Sequence, residues 1–175
     1  MQPRIRLEDL GWDEWFKERA KEAVGKGLVP ARVIETHQRI YRLRGAKGEF
    51  LAKPTGKMFR AAGSKSELPA AGDWVLTRPI QGHDEAGIEL ILPRRTKLSR
   101  KAAGEDREQV IGANLDTVFM VTSCSHEFNE RRAERYIAAI RDGGADPVIV
   151  LNKSDLVAPD VLPELKAAAE AISTG

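Results

Sequence analysis

The chain has 175 residues, 42 % hydrophobic and 31 % charged, with 28 Lys and Arg against 26 Asp and Glu. That balance suits one large or two small domains with ordinary cores and excludes a disordered chain. Apolar runs are strand-sized, and no basic start leads into an apolar core with a small-residue cleavage site, so the expected setting is cytoplasmic, with no membrane partner. The single Cys124 permits no internal disulfide, and His37, His83 and His126 fall at no zinc-ligand spacing. Cys124 and His126, one residue apart, are expected to carry neither metal nor catalysis.

The formal charge of +2 hides a segregation. Leu28 to Ser66 holds nine Lys or Arg against two acids, Arg94 to Lys101 adds five with no acid, and Ala102 to Gly175 reverses to seven against thirteen. A polyanion would therefore be drawn to the first part of the chain and not to the second.

Residues 1–27 place Leu7, Leu10, Trp12, Trp15 and Phe16 among balanced charges before Gly25 and Gly27, the pattern of a short amphipathic helix with a stop. Those aromatics could stack nucleotides, but their spacing suits a helix buried on a neighbour. From residue 28 to 93 the pattern changes to short strands at 28–34, 39–44, 49–52, 73–77 and 88–92, separated by Gly45-Ala-Lys-Gly48, Pro54-Thr-Gly56, the polar stretch Gly63 to Pro69, and Gly82 to Gly87. Five short strands in this span suggest a small closed barrel, and the OB-fold is the commonest five-stranded barrel that binds oligonucleotides. Arg32, Arg39, Arg42, Arg44, Lys47, Lys53, Lys57 and Arg60 would supply phosphate contacts, with Tyr41, Phe50 and Phe59 as possible stacking groups. The bland alternative is a solvated basic face. Trp74, in Gly72-Asp-Trp-Val75, is expected in the barrel core.

Residues 94–116 read as an irregular linker, basic and then acidic. Its first half, with Arg94, Arg95, Lys97, Arg100 and Lys101, either extends the polyanion-binding surface or merely connects. After Asp116, Thr117 to Thr122 reads as a buried strand. Asn129 is a plausible N-cap for a helix with Ala133, Tyr136, Ile137 and Ile140 on one face, ended by Gly143-Gly144. A second strand follows at 147–151, then a helix from about Asp160. This alternation is that of a parallel α/β sheet.

At the carboxyl end of the second strand stands Asn152-Lys153-Ser154-Asp155, where open α/β sheets bind ligands. An ionised Asp offers only acceptors, so Asp155 can take the two adjacent N–H donors of guanine's Watson–Crick edge. The Asn152 amide can donate to the N7/O6 edge, and the Lys153 stem can lie over the ring. The alternative is a polar loop in which Asp155 caps the next helix.

Hydrolysis of a guanine nucleotide also requires a Gly-x-x-x-x-Gly-Lys-[Ser/Thr] loop and a Mg²⁺ site, and residues 1–175 contain no such loop. Gly56-Lys57-Met58 lacks the earlier glycine and the hydroxyl. Ser173-Thr174-Gly175 follows a helix face without an intervening strand, unlike a second base-contacting loop.

A base reader with no phosphate loop before it points to circular permutation. The chain closely resembles the ribosome-small-subunit-dependent circularly permuted GTPases. The resemblance rests on Leu28-Val-Pro-Ala-Arg-Val33, Gly72-Asp-Trp-Val75, Ile91-Leu-Pro-Arg-Arg-Thr96, Leu98-Ser-Arg-Lys-Ala-Ala-Gly104, Ala113-Asn-Leu-Asp-Thr-Val-Phe119, Phe128-Asn-Glu-Arg-Arg-Ala-Glu-Arg-Tyr136 and Val150-Leu-Asn-Lys-Ser-Asp-Leu156. It implies an OB domain contacting the 16S-type rRNA of the small ribosomal subunit, followed by a partial permuted GTPase domain at 117–175. It further implies base contacts by Asn152, Lys153 and Asp155, GTP as ligand, and a role in late small-subunit maturation. In the family the phosphate loop, switch segments and a zinc-binding domain come later, so Mg²⁺ and Zn²⁺ are expected only there and no catalytic residue falls on this chain. The chain therefore reads as an inactive fragment of a GTP hydrolase, with its oligomeric state open. Two other readings stand beside it: a non-enzymatic OB-fold nucleic-acid-binding module, and part of another nucleotide-dependent enzyme. A partial α/β domain should also leave a sheet edge and apolar surface uncovered.

Overall fold

A computed structural model of the chain describes residues 5–80, 85–101, 108–124 and 128–174. The turn expected at Gly82 to Gly87 falls partly outside these residues, as do His83 and His126. The chain divides into two compact units, Met1–Arg95 with Ser99–Asn114, and Thr96–Leu98 with Leu115–Gly175.

The first unit begins with a 3-10 turn at Leu7–Leu10 and helix α1 (Glu14–Gly25). Asp13 caps α1 by accepting from the backbone N–H of Trp15 at 3.0 Å and of Phe16 at 3.3 Å. Strands β1 (Val29–His37), β2 (Ile40–Gly45), β3 (Gly48–Pro54), β4 (Trp74–Pro79) and β5 (Glu85–Ile91) follow. They close into a barrel in the order β1-β2-β3-β5-β4, with β3 and β5 parallel and the other pairs antiparallel, which is the OB topology expected from the sequence. Alternation along the strands turns Ala31, Val33, Tyr41, Leu43, Ala52, Val75, Ala86 and Ile88 inward.

Helix α2 (Gly56–Ala61) lies between β3 and β4 where the sequence suggested only turns. Thr55 caps it by accepting from the Met58 N–H at 3.3 Å, and Met58 packs on the barrel core. Six residues are too few for a helical period to be visible.

Trp74 is fully buried, but not inside the barrel. It lies on the outer side of β4 with Leu76, beneath α1, in a second core with Trp12, Phe16, Ala20, Leu28 and Leu92. The rings of Trp12 and Trp74 meet edge-on with centroids 4.6 Å apart, a contact worth about 0.5–1.5 kcal/mol beyond area burial. β4 is thus buried on both faces, and the aromatics of residues 12–16 form a lid over the strand instead of an open stacking platform.

Behind β4 the chain is tied by charge. The Asp73 carboxylate, wholly buried, accepts from Nε and Nη2 of Arg94 at 2.8 Å each and from the Ala70 N–H at 2.7 Å. Arg94 also donates to the carbonyls of Ser66 and Leu68, so one guanidinium fastens the α2–β4 connection to the barrel. The Asp73 hydrogen bonds raise the Arg94 pKa above its ordinary value. Just before Asp73, Gly72 sits at φ +89°, where a Cβ would stand 2.0 Å from the Ala113 carbonyl oxygen, so only glycine lets β7 approach this turn.

The stretch 94–116, expected to be irregular, carries paired strands β6 (Lys97–Lys101) and β7 (Glu108–Ala113). Their facing side chains are polar, Ser99 with Glu108 and Arg100 with Gln109, so no apolar alternation betrays them. Residues 102–107, between β6 and β7, fall outside the described residues.

In the second unit β8 (Thr117–Ser123) and β9 (Asp146–Asn152) run parallel, in register from Thr117 opposite Asp146 to Ser123 opposite Asn152. Between them lies α3 (Glu130–Asp142), capped by Asn129, whose Oδ1 accepts from the Arg132 N–H at 2.9 Å. Ala133, Ile137 and Ile140 are buried as expected, while Tyr136 is half exposed. Helix α4 (Val161–Thr174) packs on α3 and β9. Among the described residues β8 and β9 pair only with each other, and Phe119 and Val121 are 66 % and 60 % exposed on the face opposite the half-buried Val118 and Met120.

Replacing Arg94 by Met strands a buried carboxylate and should cost about 3–5 kcal/mol. Urea unfolding read at the Trp12–Trp74 cluster checks this; a loss under about 1 kcal/mol would show that the clamp is dispensable.

Candidate functional site

β9 ends at Asn152, and there the chain turns sharply. Lys153 adopts a left-handed conformation at φ +58°, and Ser154–Leu156 forms a single 3-10 turn in which the Leu156 N–H donates to the Lys153 carbonyl at 3.1 Å. The Asn152 Oδ1 accepts from the Lys153 N–H at 2.9 Å, which holds the bend and leaves the amide nitrogen as a donor. The Asn152 carbonyl accepts from the Cys124 N–H at 2.9 Å, so the pairing with β8 continues to the strand's end. Asn152, Lys153, Ser154 and Asp155 are all exposed. An acceptor-only carboxylate, an amide donor and an alkyl stem therefore share one loop at the carboxyl edge of a parallel sheet, the groups needed to read guanine. α4 begins at Val161, five residues beyond the 3-10 turn's end, so Asp155 is not its cap. Ser173 and Thr174 lie within α4, their hydroxyls donating to the carbonyls of Ala169 at 2.9 Å and Glu170 at 3.0 Å, and form no loop.

The basic residues expected on the barrel fall into three groups. Arg32 and Arg94 are committed internally: Arg32 donates to the carbonyls of Leu10, Gly72 and Asn114, and Arg94 holds Asp73. Arg95 is bound to Asp13 and lies over the rings of Trp15 and Phe16, at 4.8 and 4.7 Å from their centroids; that Arg95 hydrogen bond is the main cause lowering the Asp13 pKa. The second group stands on the outer strand face and is paired across strands: Arg42 with Glu35 at 3.2 Å, Arg44 with Glu49, and Lys53 with Glu85 at 3.0 Å. The third is exposed at the barrel's ends. There the Arg39 guanidinium sits 4.4 Å from the centroid of Phe59, itself 39 % exposed, with Lys57 and Arg60 on the same helix α2, while Lys47 occupies the β2–β3 turn. Arg100 and Lys97 are exposed on β6; the Lys101 side chain lies outside the described residues. Of the aromatics, Tyr41 is buried and Phe50 half-buried. Sequence counting weighed all these cations alike, because cross-strand register decides which of them meets an acid.

A left-handed Lys stores about 1 kcal/mol of backbone strain that glycine would not. Lys153→Gly should therefore raise the stability of the second unit by about that amount in denaturant unfolding; destabilisation by 1 kcal/mol or more would contradict the assigned turn.

Residues 91–174 match the family model described as RsgA GTPase. The chain is 43 % identical over 161 residues to the small ribosomal subunit biogenesis GTPase RsgA of Opitutus terrae, covering 87 % of this chain and 44 % of that protein. It is 38 % identical over 162 residues to the protein of the same name from Syntrophotalea carbinolica, covering 87 % and 43 %. It thus spans less than half the length of these curated relatives. Among solved structures it resembles YjeQ from Thermotoga maritima, with TM-score 0.61 and 23 % identity over 82 % of this chain and 48 % of that one. It also resembles YloQ, a circularly permuted GTPase, with TM-score 0.58 and 19 % identity over 82 % and 47 %; both likenesses speak to fold. On these matches residues 91–174 are similar to the RsgA GTPase family model, and the chain is similar over most of its own length to the first part of proteins that carry the RsgA name.

Proposed function

We propose that this chain supplies the guanine-reading loop and the RNA-binding barrel of a GTPase that acts in maturation of the small ribosomal subunit. The observation that carries the reading is the exposed Asn152-Lys153-x-Asp155 loop at the carboxyl end of β9, paired in register with a parallel neighbour. The names of the curated relatives add the ribosomal role and GTP as nucleotide.

In this reading Asp155 accepts the two N–H donors of the guanine edge, Asn152 donates to N7 or O6, and the Lys153 stem covers one face of the ring. Hydrolysis needs phosphate-binding groups and Mg²⁺ in addition. Residues 1–175 hold no phosphate loop, and among the described residues no cluster of three or more His, Cys, Asp or Glu stands ready for a metal. The contribution read from these residues is selection of the base.

For the barrel, the reading places rRNA contact where exposed cations gather around an exposed ring. Arg39 stacked on Phe59, with Lys57 and Arg60 beside it on α2, joins a ring face to positive charge, as single-strand binding requires. The strand face is a poorer candidate, since a polyanion there would meet Glu35, Glu49 and Glu85 as well as their partners. Arg100, exposed on β6, is a further cation that the reading assigns to RNA.

Two measurements test this. The purified 175-residue chain with Mg²⁺ should not turn over GTP, and measurable hydrolysis would overturn the division of labour. In a protein of the relatives' full length, Asp155→Asn should shift preference from guanine toward xanthine nucleotides by about tenfold or more, because an amide can donate to xanthine's extra carbonyl; an unchanged preference would remove Asp155 from the base site.

A further inference from the structure

Among the described residues of the first unit, nearly every arginine is engaged. Some meet carboxylates, as Arg42 meets Glu35 and Arg78 meets Glu89, and others donate to carbonyls, as Arg19 does to Trp15. Arg39 and Arg60 alone make no hydrogen bond or ion pair among those residues. Register explains the first of them. His37 pairs with Ile40, so Gln38 and Arg39 form the two-residue turn between β1 and β2, with Gln38 left-handed at φ +53°. A turn residue has no cross-strand neighbour, and the acid that Arg42 finds in Glu35 has no counterpart there. The Arg39 guanidinium instead lies 4.4 Å from the centroid of Phe59 on α2, and Arg60, the next residue of that helix, is exposed.

A guanidinium seated on a ring is held flat and loses water from one face, while its N–H edge keeps its donors. That edge is a fork matched to two oxygens of one anion. The seat has a second consequence: a base stacking on this face of Phe59 would have to displace Arg39. The place therefore suits the backbone of a nucleic acid better than its bases. A chain of phosphates also answers two neighbouring arginines at once, without acids set at a particular spacing.

We propose that Arg39 and Arg60 grip the phosphodiester backbone of single-stranded RNA without regard to base, and that Phe59 is a positioning residue that orients Arg39. The assignment rests on the RNA-binding reading of the barrel and adds to it which part of the RNA is held.

Fluorescence anisotropy of the chain with labelled oligo(U), oligo(A) and an abasic ribose-phosphate oligomer of the same length, over a range of salt, tests it. Arg39→Ala should weaken all three alike, by about threefold or more, and make the fall of log affinity with log salt shallower by about 0.7. Arg39→Lys should keep the salt dependence but lose affinity, since an ammonium has no fork. Phe59→Leu should weaken binding at unchanged salt dependence and add no loss to Arg39→Ala, and Phe59→Tyr should bind as the unaltered chain does. A Phe59→Leu loss confined to oligo(U) and oligo(A), and absent with the abasic oligomer, would make Phe59 a base-stacking residue and overturn the proposal. Full affinity in Arg39→Ala would also overturn it while keeping RNA binding, whereas no oligomer bound by the unaltered chain would refute the reading on which it rests.

Discussion

The parallel pairing of β8 with β9 is the constraint on which the functional reading depends. Its register runs unbroken from Thr117 opposite Asp146 to Ser123 opposite Asn152, and one further bond from Cys124 reaches the Asn152 carbonyl. Slipping a strand by one residue turns every side chain to the other face, so this register decides which residue ends the strand. Asn152 closes its own bend by accepting from Lys153, and the left-handed Lys153 reverses the chain so that Asp155 emerges in an exposed turn. The proposed base contacts thus depend on backbone geometry before they depend on side chains.

The barrel answers to a different constraint. Arg94, clamped on the buried Asp73, and Arg32, donating to three backbone carbonyls, hold the connections around β4 in place. A buried carboxylate demands such a partner, whatever else arginine could do at a surface. The cost is that two of the most conspicuous arginines in the basic half of the chain are unavailable to a polyanion. Three further cations are paired with Glu35, Glu49 and Glu85 across neighbouring strands. The exposed pairs Arg42–Glu35 and Lys53–Glu85 add little stability, about 1 kcal/mol or less each, but they redistribute the field, leaving Arg39 and Arg60 as exposed positive charge beside Phe59.

Much of this was legible in the sequence because the relevant signals are local. Short runs bounded by Gly and Pro marked the barrel strands, Asn129 and the spacing of Ala133, Ile137 and Ile140 marked α3, and the polar tetrapeptide after an apolar strand marked the bend at Asn152, although β8 and β9, expected to be buried, leave Phe119, Val121 and Val148 exposed. What stayed hidden depends on partners distant in sequence. Trp74 pointed away from the barrel interior because α1 covers β4 from outside, and nothing around Gly72-Asp-Trp-Val75 says which face a doubly buried strand offers it. β6 and β7 hid because Ser99, Arg100, Glu108 and Gln109 pair through polar groups, and α2 because it is one and a half turns long. The pairing of Lys53 with Glu85 joins residues 32 apart and needs the β3–β5 register to be seen.

The second unit's open sheet face, with Phe119 and Val121 largely exposed, shows how little of its apolar surface these residues cover among themselves. The loop at Asn152 to Asp155 nonetheless keeps its bend and its strand-end bond within this unit, so the geometry on which the proposed selectivity rests is present here. The most direct test of that claim is equilibrium binding of GTP against inosine triphosphate by a protein of the relatives' full length, since inosine lacks only the exocyclic amine that Asp155 would accept. The account predicts that inosine triphosphate binds about tenfold or more weakly; equal affinity for the two nucleotides would contradict it.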